Sequence, residues 1–216
     1  MMAEQIDVYT KEGEFIGACD RNVAHRFGLW HKTVHCWIIK DRRSLVFQKR
    51  SEKLLVDPGK LFSTASGHIK AGESISDAFA REIFEETGVR VENPIGIFHK
   101  PYILDTVLPN GRPHHDYITW YLFAAKCDAP LSEYKPQDEE LDGFVELDTA
   151  QLYKLSDGTI DSMRAPALLR QPDGSFAMTE IDVREEDFLL YDGETLVNKF
   201  ALWLREVCEK LDCGAL

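Results

Sequence analysis

The sequence predicts an α/β fold built as one domain, and three observations carry that expectation. From Ser74 to Thr87 the apolar residues Ile75, Phe79, Ile83 and Phe84 recur at helical spacing ahead of Gly88, the pattern of an amphipathic helix that ends on a C′ glycine. Around this helix, short β-branched and aromatic runs punctuated by turn residues read as strands. No internal repeat, low-complexity tract or composition shift divides the 216 residues, a length that buries a sizeable core without a second domain.

The elements follow in order. Ile6 to Tyr9 and Glu14 to Ala18 flank the turn-rich KEG, which predicts a short N-terminal hairpin within residues 1–31. The stretch from Arg21 to His35 is rich in His, Arg and Trp and has no clear period. Thr33 to Ile39 and Ser44 to Gln48 form a second hairpin across DRR, and DPGK at 57–60 breaks the chain before a polar approach to Gly67. After the helix, Val89 to Val91, Ile95 to His99 and Tyr117 to Ala125 are strand-like, with LPNGRPHH at 108–115 expected as a long substrate-facing loop. PQDEELDGFVEL ends in another strand. The core is thus placed at about 32–150, followed by a C-terminal extension at 151–216 that holds turns and a final amphipathic helix from about Glu194 to Leu211.

Composition narrows the function classes. Lys and Arg total 25 against 37 Asp and Glu, a net charge of −12, so the surface repels nucleic acid polymers and anionic membranes. A small anionic substrate then needs a local site, and a homodimer is compatible with this surface. Cys19, Cys36, Cys127, Cys208 and Cys213 have no CxxC pair or zinc-ligand spacing, and read as free thiols of a reducing compartment. The first residues lack a basic start and an apolar signal region, and no run approaches the ~20 apolar residues of a membrane span. A cytoplasmic location is expected.

Chemistry concentrates on the helix. Glu82, Glu85 and Glu86 stand at i, i+3 and i+4, so their carboxylates share an arc of roughly 100°. They repel one another and lie near the negative end of the helix macrodipole. A divalent cation such as Mg²⁺ or Mn²⁺ reverses both effects and couples the face to phosphate oxygens, whereas a solvated charged face is the plain alternative.

The surrounding segment GHIKAGESISDAFAREIFEETGV reads Gly67, five residues, Glu73, seven residues, Arg81, Glu82, Ile83, one residue, Glu85, Glu86, one residue, Gly88 and Val89. It resembles the Nudix box at each defining position. Seven fixed residues at about 6% usage each make a chance match on the order of one in a million over a chain this long. The resemblance implies a Nudix-type α/β/α sandwich with a mixed β-sheet, the box helix on one side, and the N-terminal hairpin and C-terminal helix as additions. It implies a metal-dependent hydrolase that cuts a diphosphate linkage in a nucleoside diphosphate-X type substrate. Glu82 and Glu86 are then the principal metal ligands, Glu85 adds to the metal site or orients water, and Arg81 bridges Glu73 and Glu85. Glu139 and Glu140 lie where Nudix hydrolases often carry a loop glutamate acting as base or extra ligand, and Glu140 is taken as the candidate; a solvated acidic turn is the alternative.

His25, His31 and His35, with His68 directly after Gly67, are similar to the isopentenyl diphosphate isomerases, a Nudix branch that binds metal through histidines and glutamates. His68 is the candidate ligand among them because it adjoins the carboxylate face; the upstream three are equally packing or turn residues. Three departures count against isomerase chemistry. Ser66 stands at the isomerase cysteine, Asp116 and Ile118 stand at its two glutamates, and the full REIFEE run keeps the hydrolase carboxylates. Serine and isoleucine cannot shuttle the protons of an allylic isomerisation. A catalytically silent nucleotide-sensing module is a third reading, and it has no need of all these carboxylates.

Overall fold

The computed structural model describes residues 4–41, 43–191 and 194–195. Strands β1 (Gln5–Tyr9) and β2 (Phe15–Asp20) pair antiparallel across the expected turn. Helix α1 (Arg21–Phe27) follows, with the Asp20 side chain accepting from the Asn22 amide at 2.7 Å as its N-cap. Seven residues offer too few turns for a period to show in the sequence, which is why this helix was not legible.

The main sheet is assembled from β3 (His31–Lys40), β4 (Ser44–Arg50), β5 (Leu61–Phe62), β6 (Ala65–His68), β7 (Glu92–Val107), β8 (Pro113–Lys126), β9 (Leu141–Asp148), β10 (Met163–Arg170) and β11 (Phe176–Val183), with α2 (Ile75–Thr87) and α3 (Thr149–Ser156) between strands. Its order is β11-β10-β9-β4-β3-β8-β7, with β5 added to β4 and β6 to β3. The β3–β8 pair is parallel and its neighbours are antiparallel, so the sheet is mixed. Side chains alternate across each strand. Trp37, Ile39, Leu45, Phe47, Trp120 and Leu147 pack on one face with Leu152 and Leu155 of α3. Val34, Cys36, Ile38, Val46 and Phe144 pack on the other with Ala78, Phe79 and Ile83 of α2. One helix on each face gives the α/β/α sandwich. Each buried Val, Leu, Ile or Phe among them contributes roughly 1.5–3 kcal/mol over its exposed state.

Four expectations are corrected. Phe84 is exposed beneath the Arg90 guanidinium, 4.5 Å above its ring, because Phe79 and Ile83 already fill the buried face of α2. Val89 to Val91 link α2 to β7 and are not a strand. Residues 108–115 are not a long loop. Leu108 N–H donates to Arg112 O at 2.9 Å and Gly111 N–H to Leu108 O at 2.8 Å, closing a tight turn, while His114 and His115 belong to β8. The Pro-Asn-Gly signal turns the chain within a few residues, and the polar composition of the segment hid the strands on either side. Beyond residue 150, β10 and β11 extend the main sheet, joined by a turn in which Gln171 N–H donates to Ser175 O at 2.7 Å. The helix expected from Glu194 to Leu211 lies outside the described residues, apart from Glu194 and Thr195, which form a two-residue strand.

Candidate active site

Helix α2 is fixed at both ends before it presents its carboxylates. Ser74 Oγ accepts from the Asp77 amide at 3.1 Å, and Gly88, at φ 71°, returns its N–H to Phe84 O at 2.9 Å. One turn apart on the inner side stand Glu82 and Glu86, 9% and 3% exposed; the Glu85 side chain is 48% exposed. Strand β6 passes directly over them. A Cβ on Gly67 would lie 2.0 Å from Glu82 Cδ, so only glycine lets this carboxylate occupy its place. The next residue back, Ser66, donates its N–H to Glu86 Oε2 at 3.1 Å.

Arg81 organises the outer carboxylates. Its Nε and Nη2 each donate to Glu73 at 2.8 Å, Nη2 also reaches His68 O at 3.0 Å, and Nη1 reaches Glu82 Oε1 at 2.5 Å and Glu85 Oε2 at 3.3 Å. The fork on Glu73 matches planar bidentate geometry and holds Glu73 below the usual carboxylate range. Arg81 therefore bridges Glu73 and Glu85, and it touches Glu82 as well. Even so, burial raises the Glu82 pKa to about 7 against the opposing pull of Arg81. Burial likewise drives Glu86 well above the usual carboxylate range, reinforced by Glu82 and Glu140.

Arg81, Glu82, Glu85 and Glu86 line a cleft of about 370 Å³ that also takes in Glu140, His25, His68, His114 and Asp116. Glu139, the neighbouring candidate, is exposed. At the cleft mouth His25 lies between two groups: its Nε2 is 3.1 Å from His68 Nε2 and its Nδ1 is 2.8 Å from Asp116 Oδ1. His114 Nε2 is 2.9 Å from the same Asp116 oxygen, and the His31 ring stacks on His68 at 5.2 Å. Close as they are, His25 Nδ1, His31 Nε2 and Asp116 Oδ1 have no directed hydrogen bond although all are buried. Burial raises Asp116, and His114 and His25 outweigh it to bring the carboxyl well below its ordinary value. Burial lowers His31 to about 4 and His68 well below its usual value, so both rings are neutral at pH 7, and His31 Nε2 has no hydrogen-bond partner.

Two donor sets in this cleft fit a divalent cation. Glu82 and Glu86 offer hard oxygens whose charges lack sufficient compensation, and Gly67 leaves the space above Glu82 clear. His25, His31 and His68, or His25, His114 and Asp116, bring their ligand atoms within 4.8 Å of one another. All of the site residues expected from the sequence, Glu73, Arg81, Glu82, Glu85, Glu86, Glu140 and His68, border the cleft or bond directly to a residue that does. His25 and His31 join His68. His35 does not: it lies further along β3, its Nε2 2.9 Å from Thr33 Oγ1. Sequence reasoning missed His114, assigned to a loop, although its i, i+2 spacing to Asp116 is the strand signal that puts both on one face. It also missed Arg50 at the end of β4, which lines the cleft and donates to Val56 O at 2.9 Å and Asp57 O at 3.1 Å.

Comparison with known proteins agrees with the box. The NUDIX domain signature matches residues 29–165. An uncharacterized Nudix hydrolase of Clostridium acetobutylicum is 28% identical over 192 residues, spanning 88% of this chain and 91% of that protein. Nudix hydrolase 3 of Arabidopsis thaliana is 32% identical over 146 residues, 65% of this chain but 19% of the plant protein. An isopentenyl-diphosphate Delta-isomerase of Klebsiella pneumoniae is 26% identical over 153 residues, 70% of this chain and 80% of the isomerase. Among solved structures, a Deinococcus radiodurans protein superposes with a TM-score of 0.52 at 20% identity, covering 72% of this chain and 90% of its own. With the box carboxylates gathered on α2 beneath Gly67 and the domain signature spanning most of the sheet, the chain belongs to the Nudix hydrolase family.

Proposed function

We propose that the protein is a divalent-metal-dependent pyrophosphohydrolase that cleaves the diphosphate linkage of a small nucleoside diphosphate-X type substrate. One observation carries this reading: Glu82 and Glu86 are buried side by side, with proton affinities raised by burial, in a cleft they share with Glu85 and Glu140. A bound Mg²⁺ or Mn²⁺ supplies neutralisation of the diphosphate charge and acidifies water. Glu82 and Glu86 would hold that ion, with His68 at its edge. Arg81 grips Glu73 at two points and contacts Glu85, and Glu85, reaching solvent at the cleft wall, would orient a water and accept its proton as the P–O–P bridge is attacked. Glu140 is the second proton acceptor in reach of the same space. The bond formed joins water oxygen to phosphorus, and the bridging oxygen leaves with the other phosphate.

The convergence of His25, His31, His68 and Asp116 favours a second reading, an isomerase-like enzyme. Against it stand Ser66 and Ile118, which offer no proton-transfer pair. The test is a panel of nucleoside di- and triphosphates, nucleoside diphosphate sugars, dinucleotides and isopentenyl diphosphate with Mg²⁺ or Mn²⁺, scored for phosphate, nucleoside monophosphate and dimethylallyl diphosphate. Metal-dependent nucleotide cleavage, reduced by orders of magnitude in Glu86→Gln, is expected. Metal-independent cleavage, or isomerisation faster than hydrolysis, would refute the proposal.

A further inference from the structure

The inner end of the cleft has a chemistry of its own. On β8 the residues after Asp116 that share its face are Ile118 and Trp120; on β3 those after His31 are Thr33 and His35. The parallel register sets Thr33 beside Trp120, and β7 brings Tyr102 beside Ile118. At about 3.3 Å per residue, Trp120 lies roughly 13 Å along β8 from Asp116, so the cleft runs from an end lined by histidines and Asp116, the mouth, to an aromatic end, the floor, where Lys100 Nζ also stands 5.7 Å from the Trp120 ring. There Tyr102 stacks on Trp120 at 4.6 Å, His35 meets Trp120 at 4.7 Å and Phe62 at 5.2 Å, and all four border the cleft. His35 is 5% exposed, and its Nδ1 has no hydrogen-bond partner.

From this juxtaposition of ring faces with an unpartnered, buried ring nitrogen, we infer that the floor formed by His35, Phe62, Tyr102 and Trp120 is the seat for a planar heteroaromatic ring of the substrate. The inference rests on the pyrophosphohydrolase reading and assigns the end of the cleft away from that mouth. Stacking between aromatic faces suits a flat ring. The orphaned nitrogen decides between flat and branched occupants. A branched alkenyl chain would leave it unpaired, whereas the polar edge of a nucleobase supplies a partner, a difference on the order of tenfold in affinity. Either tautomer serves, since the Thr33 hydroxyl can donate to or accept from Nε2 and leave Nδ1 with the opposite role.

The test compares two ligands that carry no diphosphate bond, adenosine monophosphate and ribose 5-phosphate, by titration calorimetry on the full chain with Mg²⁺. Their difference is the ring alone. Adenosine monophosphate is expected to bind at least about tenfold tighter, and His35→Leu, close in size but without ring nitrogens, should cut that ratio several-fold while leaving ribose 5-phosphate binding unchanged. Tyr102→Leu, which removes the stacked ring from the half-buried side, should cut it too. Circular dichroism identifies any variant that fails to fold, and the wild-type ratio alone still decides. Equal affinities in the wild type, tighter binding of isopentenyl monophosphate than of adenosine monophosphate, or an unchanged ratio in folded His35→Leu would overturn the seat. Cleavage of a nucleoside diphosphate sugar by the same samples separates the two claims. Cleavage without a ring preference removes the seat and keeps the hydrolase; a ring preference without cleavage does the reverse.

Discussion

Glu82→Gln should stabilise the metal-free protein, and the gain should grow with pH. In the folded state burial lifts the Glu82 pKa from the usual 4.5 to about 7. A raised folded-state pKa means that the stability associated with the protonated carboxyl is fully present below pH 4.5 and is lost as pH rises through about 7. Each tenfold change in proton affinity is worth 1.36 kcal/mol, so the ionisation penalty is about 1 kcal/mol at pH 5 and about 3 kcal/mol at pH 8. Glutamine keeps the shape and an oxygen for Arg81 but has nothing to ionise. His31 and His35 titrate in the opposite sense, lowered by burial to about 4 and about 3, yet they are present in both proteins and cancel in the difference. For a chain of this size about 1 kcal/mol moves Tm by roughly 2–4 °C. Thermal unfolding in EDTA should therefore give a variant-minus-wild-type difference in Tm that widens by roughly 4–8 °C between pH 5 and pH 8. Adding Mg²⁺ at pH 8 should narrow it, because the ion stabilises the charged carboxylate of the wild type alone. A difference that stays flat with pH would show that Arg81 fully compensates Glu82 and that burial costs this carboxylate nothing.

Three further perturbations probe the same architecture. Gly67→Ala places a Cβ against Glu82 Cδ; the carboxylate is the far end of a flexible side chain and can swing away, so Tm in EDTA should move by less than about 2 °C while the Mg²⁺-induced rise in Tm and turnover are lost. A variant that keeps both would refute the close approach of β6 to α2. Arg81→Lys removes the two-point grip on Glu73 and the bridge to Glu85, so kcat should fall by about 10²-fold, the scale for a misplaced catalytic group, with KM changed far less; an effect confined to KM would mean that Arg81 binds substrate instead. Isomerisation of isopentenyl diphosphate, followed by deuterium incorporation in heavy water, should be absent in the wild type and in Ser66→Cys, since Ile118 leaves the opposite side without a proton carrier. Deuterated dimethylallyl diphosphate formed by Ser66→Cys alone would show that another group fills that role.

What the sequence disclosed follows from the range over which each signal acts. The α2 helix shows itself within one segment: apolar residues at 79 and 83 and a C′ glycine are local, and so is the spacing that puts Glu82, Glu85 and Glu86 on one side. The Arg81 bridge was legible for the same reason, being a contact within the box. By contrast, β10 and β11 escaped notice because the strand character of Met163 to Arg170 depends on β9, a partner set by the sheet and not by neighbouring residues. The β7–β8 hairpin was hidden by polar residues that are turn and strand at once: His114 reads as loop by composition and becomes a site residue only because β8 continues through it.

The two donor sets of the cleft show where local reading ends and geometry takes over. Glu82 and Glu86 belong to one helix, so their pairing needs only its period. His25, His31, His68, His114 and Asp116 come from α1, β3, β6 and β8, and no spacing in the chain encodes their convergence. What brings them together is the sheet itself. The β3–β6 pair sets His68 opposite Thr33, the parallel β3–β8 pair sets His31 beside Ile118, and α1 lays His25 across the ends of both. Because His31 and Asp116 stand at the same end of two parallel strands, their side chains meet at the cleft mouth, and the residues two and four positions further in necessarily line its depth. At those positions this chain carries Thr33, His35, Ile118 and Trp120, with no carboxylate or thiol among them, where a proton-shuttling centre would need ionisable groups on both sides of its substrate. The sheet register that gathers the histidines therefore also fixes which residues follow them along β3 and β8, and on the proposed reading those residues would hold a ring while the carboxylates of α2 would address the diphosphate.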